Sequence, residues 1–426
     1  MIVTLFVFFL LLFLRVPIAL VLGMTTIFYI IFSGNKDIIL SFPQQLYSGM
    51  ENYSLLAIPL FMLAGELMNF GGLTKRLISF SQTMVGHFRG GLAYVNVLTN
   101  MMLASIIGSA SAQIAMMSKI MVPEMEERGY SREFSVATTS AAGLLGPIIP
   151  PSMLFIIYGI GSGVSIGAMF LAGIIPGVLL TISFIILIAF IGVKQRWPKN
   201  EKSSIKKKFH KFIKVLPALS VPIIIILGVI SGAFTPTESA AIACVIALFV
   251  GMFLYKEIKL ADFPKIFINT SKTTAVIGLL IAMANNFGWM LTFEQLPQQI
   301  ATWMVSITES KVLFLLIVNI FLIIVGMFMD GIAALVILIP IFNPILLNYG
   351  IDPIHFGVIM CINLAAGLLT PPVGAGLFIA TSFSGISMGN MIKAILPFLM
   401  IVYTVLLILT YVSDLVMLIP SLFIEN

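Results

Sequence analysis

The heptad Ala-Ala-Gly-Leu-Leu-x-Pro occurs twice, at Ala141–Pro147 and Ala365–Pro371. A Pro-Pro pair follows the first copy (Pro150-Pro151), and another begins at the end of the second (Pro371-Pro372). Gly and Pro in the middle of apolar sequence interrupt the helical ladder and leave carbonyl oxygens without donors. Such oxygens, joined by hydroxyls at one depth, suit a hard monovalent cation such as Na⁺. In the first half the positions are Ser105, Ser109 and Ser111, with the carbonyls near Gly143, Gly146 and Pro147. In the second they are Gly326, Asp330, Gly367, Thr370 and Pro371. Helix N-termini released at the breaks would point positive ends at an anion, with Ser109, Ser111, Asp330 and Gly331 lining its place. Taken singly, each Gly or Ser is explained as readily by close helix packing. The pairing of two such constellations is what points to a site.

Three acidic residues stand apart. Asp330, in the middle of an apolar stretch, could ligate a cation, take a proton or cap the helix that follows it. Glu238 follows Thr235-Pro236-Thr237 at a helix start, which reads as a structural cap. Glu66, in Ala64-Gly65-Glu66-Leu67, is buried by pattern, and its partner is not legible.

These residues need elements to position them. Hydropathy gives spans near 2–14, 16–33, 53–70, 134–158 (broken) and 168–192, then 215–233, 237–255, 273–293, 355–383 (broken) and 391–418. Before each broken span lies an apolar stretch, about 91–124 and 312–349, with a small or polar cluster at its middle. These read as re-entrant hairpins. Short amphipathic stretches at 39–50, 73–88, 257–272 and 296–310 would lie along the membrane interfaces. The fold expected is an all-α polytopic membrane protein of two repeats, 1–193 and 215–426, joined by a basic linker, 194–214. Each repeat crosses about five times, and an odd number inserts the second upside down relative to the first.

Composition and charge agree. Of the 426 residues, 60% are hydrophobic and 9% charged, so lipid must be the solvent for much of the surface. The linker holds nine Lys/Arg and one Glu. With it on the cytoplasmic side, twenty of the 23 basic residues, Arg15 among them, fall on that side and both termini lie outside. This placement explains the basic run better than nucleic-acid binding does. Cys244 and Cys361 read as small buried hydrophobes, and three scattered histidines offer no transition-metal spacing. Motifs of hydrolases, metalloproteases and ATP-binding loops are absent, so neither an enzyme nor a cofactor is expected.

Several segments in order resemble the large membrane subunit of TRAP (tripartite ATP-independent periplasmic) transporters. They are Ala57-Ile-Pro-Leu-Phe-Met-Leu-Ala-Gly-Glu-Leu-Met, Gly108-Ser-Ala-Ser-Ala, Val122-Pro-Glu-Met-Glu-Glu-Arg-Gly-Tyr, Gly143-Leu-Leu-Gly-Pro-Ile-Ile-Pro-Pro-Ser and Phe234-Thr-Pro-Thr-Glu-Ser-Ala-Ala. The resemblance implies a bacterial inner-membrane permease that imports an organic anion by Na⁺ symport and an elevator motion. It also implies a periplasmic substrate-binding protein and a small four-helix membrane subunit, here expected as a separate chain. The overall look suggests the sialic-acid (N-acetylneuraminate) branch, and C4-dicarboxylate relatives share every motif quoted. A stand-alone ion-coupled carrier, or a channel lined by the same helices, is the reading from another class. Related Na⁺/dicarboxylate carriers have Ser-Asn-Thr at both hairpin tips. Here Ser109-Ala110-Ser111 and Asp330-Gly331-Ile332 replace them, so an amide ligand is not expected and carbonyls must carry the coordination.

Overall fold

The computed structural model describes residues 2–14, 16–33, 36–195, 197, 202 and 204–423. Arg15 and most of the stretch 196–203 lie outside the described residues, and so does the placement of their charges. Every regular element among the described residues is helical. The first half opens with α1 (Ile2–Phe13) and α2 (Ile18–Phe32), then α3 (Ser41–Met50), α4 (Ala57–Phe70) and the amphipathic α5 (Leu73–Val85). A hairpin follows, α6 (Gly91–Ile107) and α7 (Ala110–Glu127). Next come a helix in two pieces, α8 (Arg132–Gly143) and α9 (Met153–Ser162), and the long α10 (Ile166–Lys194).

The second half has the same sequence of amphipathic helix, hairpin, interrupted helix and long helix, with different elements at either end. Three long helices, α11 (Ile205–Ile230), α12 (Pro236–Phe249) and α13 (Phe263–Phe293), precede the amphipathic α14 (Leu296–Ile307). A second hairpin, α15 (Lys311–Phe328) and α16 (Gly331–Asn348), leads to a second interrupted helix, α17 (Pro353–Gly367) and α18 (Ala375–Ser384). The chain closes with α19 (Met388–Tyr411) and α20 (Ser413–Phe423). Eight helices among the described residues are long and apolar enough to cross a membrane. α1 and α2, of 12 and 15 residues, are shorter than the ~20 residues a full crossing needs. The chain is a polytopic membrane protein: long helices carry apolar stripes on their outer faces, such as Ile182, Ile186 and Phe190 on α10.

Three boundaries differ from those read in the sequence. The interfacial stretch 257–272 and the span 273–293 are largely one helix, α13, because no Gly or Pro separates them. Only Lys272 suggested a border. The span 391–418 is two helices, divided at Val412, whose extended backbone (φ −113°, ψ 75°) has no Gly or Pro to announce it. The basic linker is shorter than 194–214, since Lys206 to Lys214 already belong to α11.

Two bodies emerge from the packing. α4 packs on α12 and α13, α13 on α2 and α3, and α11 on α12, forming one body. In the other, α7 packs on α8 and α18, α15 on α17, α16 on α9, and α10 on α19 and α20. The amphipathic helices bridge them: α5 lies against α6 and α11, and α14 against α16 and α13. Within the hairpin-bearing body, glycines allow backbones to touch. A Cβ on Gly367 would stand 2.5 Å from the Gly326 backbone, so α15 and α17 meet without side chains between them. Gly367→Ala should therefore destabilise the protein by about 1–3 kcal/mol through overpacking. Thermal unfolding in detergent checks this, and an unchanged midpoint contradicts it.

Candidate functional site

The two hairpin tips are built differently. In the first, Gly108 closes α6 in the left-handed region (φ +64°) and Ser109 caps α7, its Oγ accepting from the Ala112 N–H at 3.5 Å. In the second, Met329 is extended, and Asp330 caps α16 through Oδ1, which accepts from the Ile332 N–H at 3.0 Å. The acidic residue at this tip is thus a cap and also faces open space.

Both tips border one cavity of about 340 Å³ between the two bodies. Ser109, Ser111 and Pro147 line it from the first half, and Asp330, Gly331 and Ala365 from the second. All four residues expected to line an anion's place, Ser109, Ser111, Asp330 and Gly331, are therefore on its wall. The opposite wall comes from α4 and α13 through Gly65, Glu66, Asn69 and Thr273. Gly65 permits this approach: a Cβ there would stand 2.8 Å from the Ile106 carbonyl oxygen at the end of α6. Glu66 has Asn269 and Lys265 in its surroundings, and its Oε2 is buried with no hydrogen-bond partner among the described residues. Among the described residues no basic side chain lines the cavity, while two carboxylates, Glu66 and Asp330, do.

The remaining expected site residues sit behind this wall. Ser105 donates to the Met102 carbonyl (2.8 Å), one turn below the tip. Gly143 packs on Ile114, and Gly146 lies against Ser109 and Gln113. The prolines at 150 and 151 remove the N–H groups that would reach the carbonyls of Gly146 and Pro147 in a continuing helix. Pro147 recovers a donor in the Ser152 hydroxyl (2.5 Å), whereas the Gly146 carbonyl accepts no hydrogen bond among the described residues.

The second break is more fully satisfied. The Gly367 carbonyl accepts from Thr370 N–H (3.0 Å) and the Leu368 carbonyl from Gly376 N–H (2.8 Å). The Thr370 hydroxyl is bonded to the Ala366 carbonyl and to the Tyr403 hydroxyl. Gly326 and Gly367 touch one another, and neither they nor Thr370 and Pro371 line the cavity. The carbonyls of Leu368 and Thr370 converge instead on Gly374, 2.6 and 2.9 Å from where its Cβ would stand, a position the sequence did not single out. Of the other residues considered, Glu238 closes a capping box with Thr235, and Cys244 and Cys361 are free and buried. No cluster of three or more His, Cys, Asp or Glu side chains able to hold a metal occurs among the described residues.

With this geometry in hand, comparison with known proteins is decisive. Residues 5–415 match the family described as "Tripartite ATP-independent periplasmic transporter, DctM component". The chain belongs to the TRAP transporter large-permease family. It is 40% identical over 387 residues to the C4-dicarboxylate TRAP transporter large permease protein DctM of Pseudomonas aeruginosa, covering 91% of each chain. It is 35% identical over 413 residues to the sialic acid TRAP transporter large permease protein SiaM of Vibrio cholerae, covering 97% of this chain and 96% of that one. Among solved structures, the YdaH transporter of Alcanivorax borkumensis superposes with a TM-score of 0.63 at 16% identity, covering 89% and 88% of the two chains. This likeness shows a shared fold. The family makes the chain a transporter subunit, and the cavity between hairpin tips and α4/α13 is its candidate site.

The double role of Asp330 is separable. Asn caps as well as Asp, so Asp330→Asn should leave thermal stability within a few tenths of a kcal/mol, whereas Asp330→Ala should lose about 1 kcal/mol. Equal losses in unfolding experiments on the two variants would show that the charge, not the cap, holds the tip.

Proposed function

We propose that this permease imports a small organic acid anion by Na⁺ symport, with the hairpin-bearing body sliding past the scaffold of α2–α4 and α11–α13. The observation that carries the proposal is a cavity whose wall, among the described residues, holds two carboxylates and no basic residue. An ionised carboxylate of the substrate about 4 Å from an ionised Asp330 is repelled by about 4 kcal/mol at an effective dielectric constant of 20. A cation bound beside the tips offsets that term. The unfilled Gly146 carbonyl and the Ser109 tip supply oxygens for it in the first half, and the carbonyls around Gly374 do so in the second. Each half-site joins a hairpin or helix break to its neighbour, so a bound cation also fixes the tips in the shape that receives the anion.

On this reading the repeats are inserted in opposite orientations in the bacterial inner membrane, with both termini on the periplasmic side. A periplasmic binding protein delivers the substrate, and a small four-helix membrane subunit flanks the scaffold. N-acetylneuraminate is the substrate we place first. A cavity of about 340 Å³, at the small end of ligand pockets, admits a nine-carbon sugar acid or a four-carbon diacid, so its size does not rank the two. The relative named for C4-dicarboxylates has the higher identity, 40% against 35% for the one named for sialic acid, so succinate is the competing substrate.

Proteoliposomes containing the permease and its small subunit, supplied with the binding protein, test this. Uptake of labelled N-acetylneuraminate should require an inward Na⁺ gradient and the binding protein, and excess succinate should not compete. Uptake that persists with K⁺ replacing Na⁺ sinks the coupling, and uptake of succinate alone reassigns the substrate. Ser111→Trp, which crowds the first tip, should raise the Na⁺ concentration for half-maximal uptake. Unchanged Na⁺ activation removes Ser111 from the site.

A further inference from the structure

We infer that the side-chain amide oxygen of Gln113 is a ligand to the coupling cation at the first break, aimed there by a buried ladder of amides. The inference rests on the Na⁺ reading above and adds a ligand type that the tip sequence itself lacks.

Gln113 lies on α7, one turn beyond the Ser109 cap, and is fully buried. Its Nε2 donates to both the backbone carbonyl and Oδ1 of Asn100, at 2.6 and 2.8 Å. Asn100 Nδ2 in turn donates to the carbonyl and Oδ1 of Asn96, at 2.9 and 2.8 Å. Asn96 Nδ2 donates to Thr139 Oγ1 (2.6 Å), and Thr139 donates to the Ser135 carbonyl (2.7 Å). Every step runs one way. Turning the Gln113 amide over would set its oxygen against two acceptors, so the ladder fixes which atom faces the break. That atom, Oε1, is buried and has no hydrogen-bond partner among the described residues.

Oε1 is not in an empty corner. The Cβ that any other residue would carry at 146 would stand 2.8 Å from Gln113 Oε1 and 3.2 Å from the Ser109 carbonyl oxygen. Among the described residues the Ser109 carbonyl accepts only the Gln113 N–H, at 3.1 Å, so a lone pair remains. The Gly146 carbonyl is the one that Pro150 leaves without a helical donor. Two acceptors with spare lone pairs, Gln113 Oε1 and the Ser109 carbonyl, thus meet where hairpin and break touch, against the residue whose own carbonyl lacks a helical donor. Buried acceptors are ordinarily satisfied, and a group of them without donors is what a dehydrated cation satisfies. The glycine at 146 is required by this approach, independently of helix packing.

The measurement is Na⁺-dependent thermal stabilisation of the purified protein in nanodiscs, with NaCl replacing choline chloride at constant ionic strength. Wild-type protein should unfold at rising temperature as Na⁺ is added, because the ion binds only the folded state. Gln113→Leu should need roughly tenfold more Na⁺, or beyond, for the same rise, the scale seen when a group supporting a metal site is removed. Gln113→Asn, which keeps the amide but withdraws it by one methylene, should fall between and carries the test if the leucine variant does not fold. A lower midpoint without Na⁺ but a wild-type Na⁺ titration in both variants overturns the inference and leaves Gln113 a purely structural polar group. Absence of any Na⁺ response in the wild type overturns the Na⁺ reading itself, and this inference with it.

Discussion

A carbonyl oxygen freed from its helix must find a donor, a cation or water, because lipid offers none. The two breaks at 144–152 and 368–374 create such oxygens beside α8, α9 and α17, helices that are buried along most of their length. Much of the architecture follows from covering them. Hairpin tips are brought against the breaks, Ser152 turns back to Pro147, and glycines at 146, 326, 367 and 374 let backbones approach where a Cβ would intrude. The elements tied together in this way form one body, and the cavity lies where that body meets α4 and α13.

The repeats are similar in order and unequal in chemistry. Among the described residues, the first break keeps a Gly146 carbonyl without a donor, and the Gln113 amide oxygen that lies against Gly146 also has no partner. The second has closed its carbonyls onto Thr370 and Gly376 N–H groups and its hydroxyl onto Tyr403. The first tip carries neutral serines, the second an aspartate that caps its own helix. In the proposed cycle the first half would supply the better-defined cation site, and the second the charge that makes a cation necessary.

The hairpins and interrupted helices were legible in the sequence because Gly, Pro and capping Ser or Asp punctuate them. The first hairpin, read at about 91–124, runs from Gly91 to Glu127, and the second, read at about 312–349, from Lys311 to Asn348. Where no breaker marks a change, as between 272 and 273 or at Val412, local sequence did not locate the boundary, because tertiary packing sets it. The far wall of the cavity was illegible for a different reason. Glu66 and Thr273 lie some two hundred positions apart, and only folding places them together. Gln113 gave a faint signal, a long polar side chain four residues after a cap in an otherwise small and apolar stretch. Its meaning required Asn96, Asn100 and Thr139 to be seen in line with it.

The central claim is that the body holding the ion site moves as a unit past the scaffold. A Cβ at Gly288 on α13 would lie 3.5 Å from Pro340 Cβ on α16, across the boundary between the bodies and away from the cavity. A Cβ at Gly161 on α9 would lie 3.8 Å from Ile339 Cβ, within the moving body. Both separations suit a disulfide. In a background lacking Cys244 and Cys361, oxidising Gly288→Cys/Pro340→Cys should stop uptake in proteoliposomes and reduction should restore it. Gly161→Cys/Ile339→Cys should transport in both states. Uptake undiminished with the α13–α16 disulfide fully formed would contradict the account.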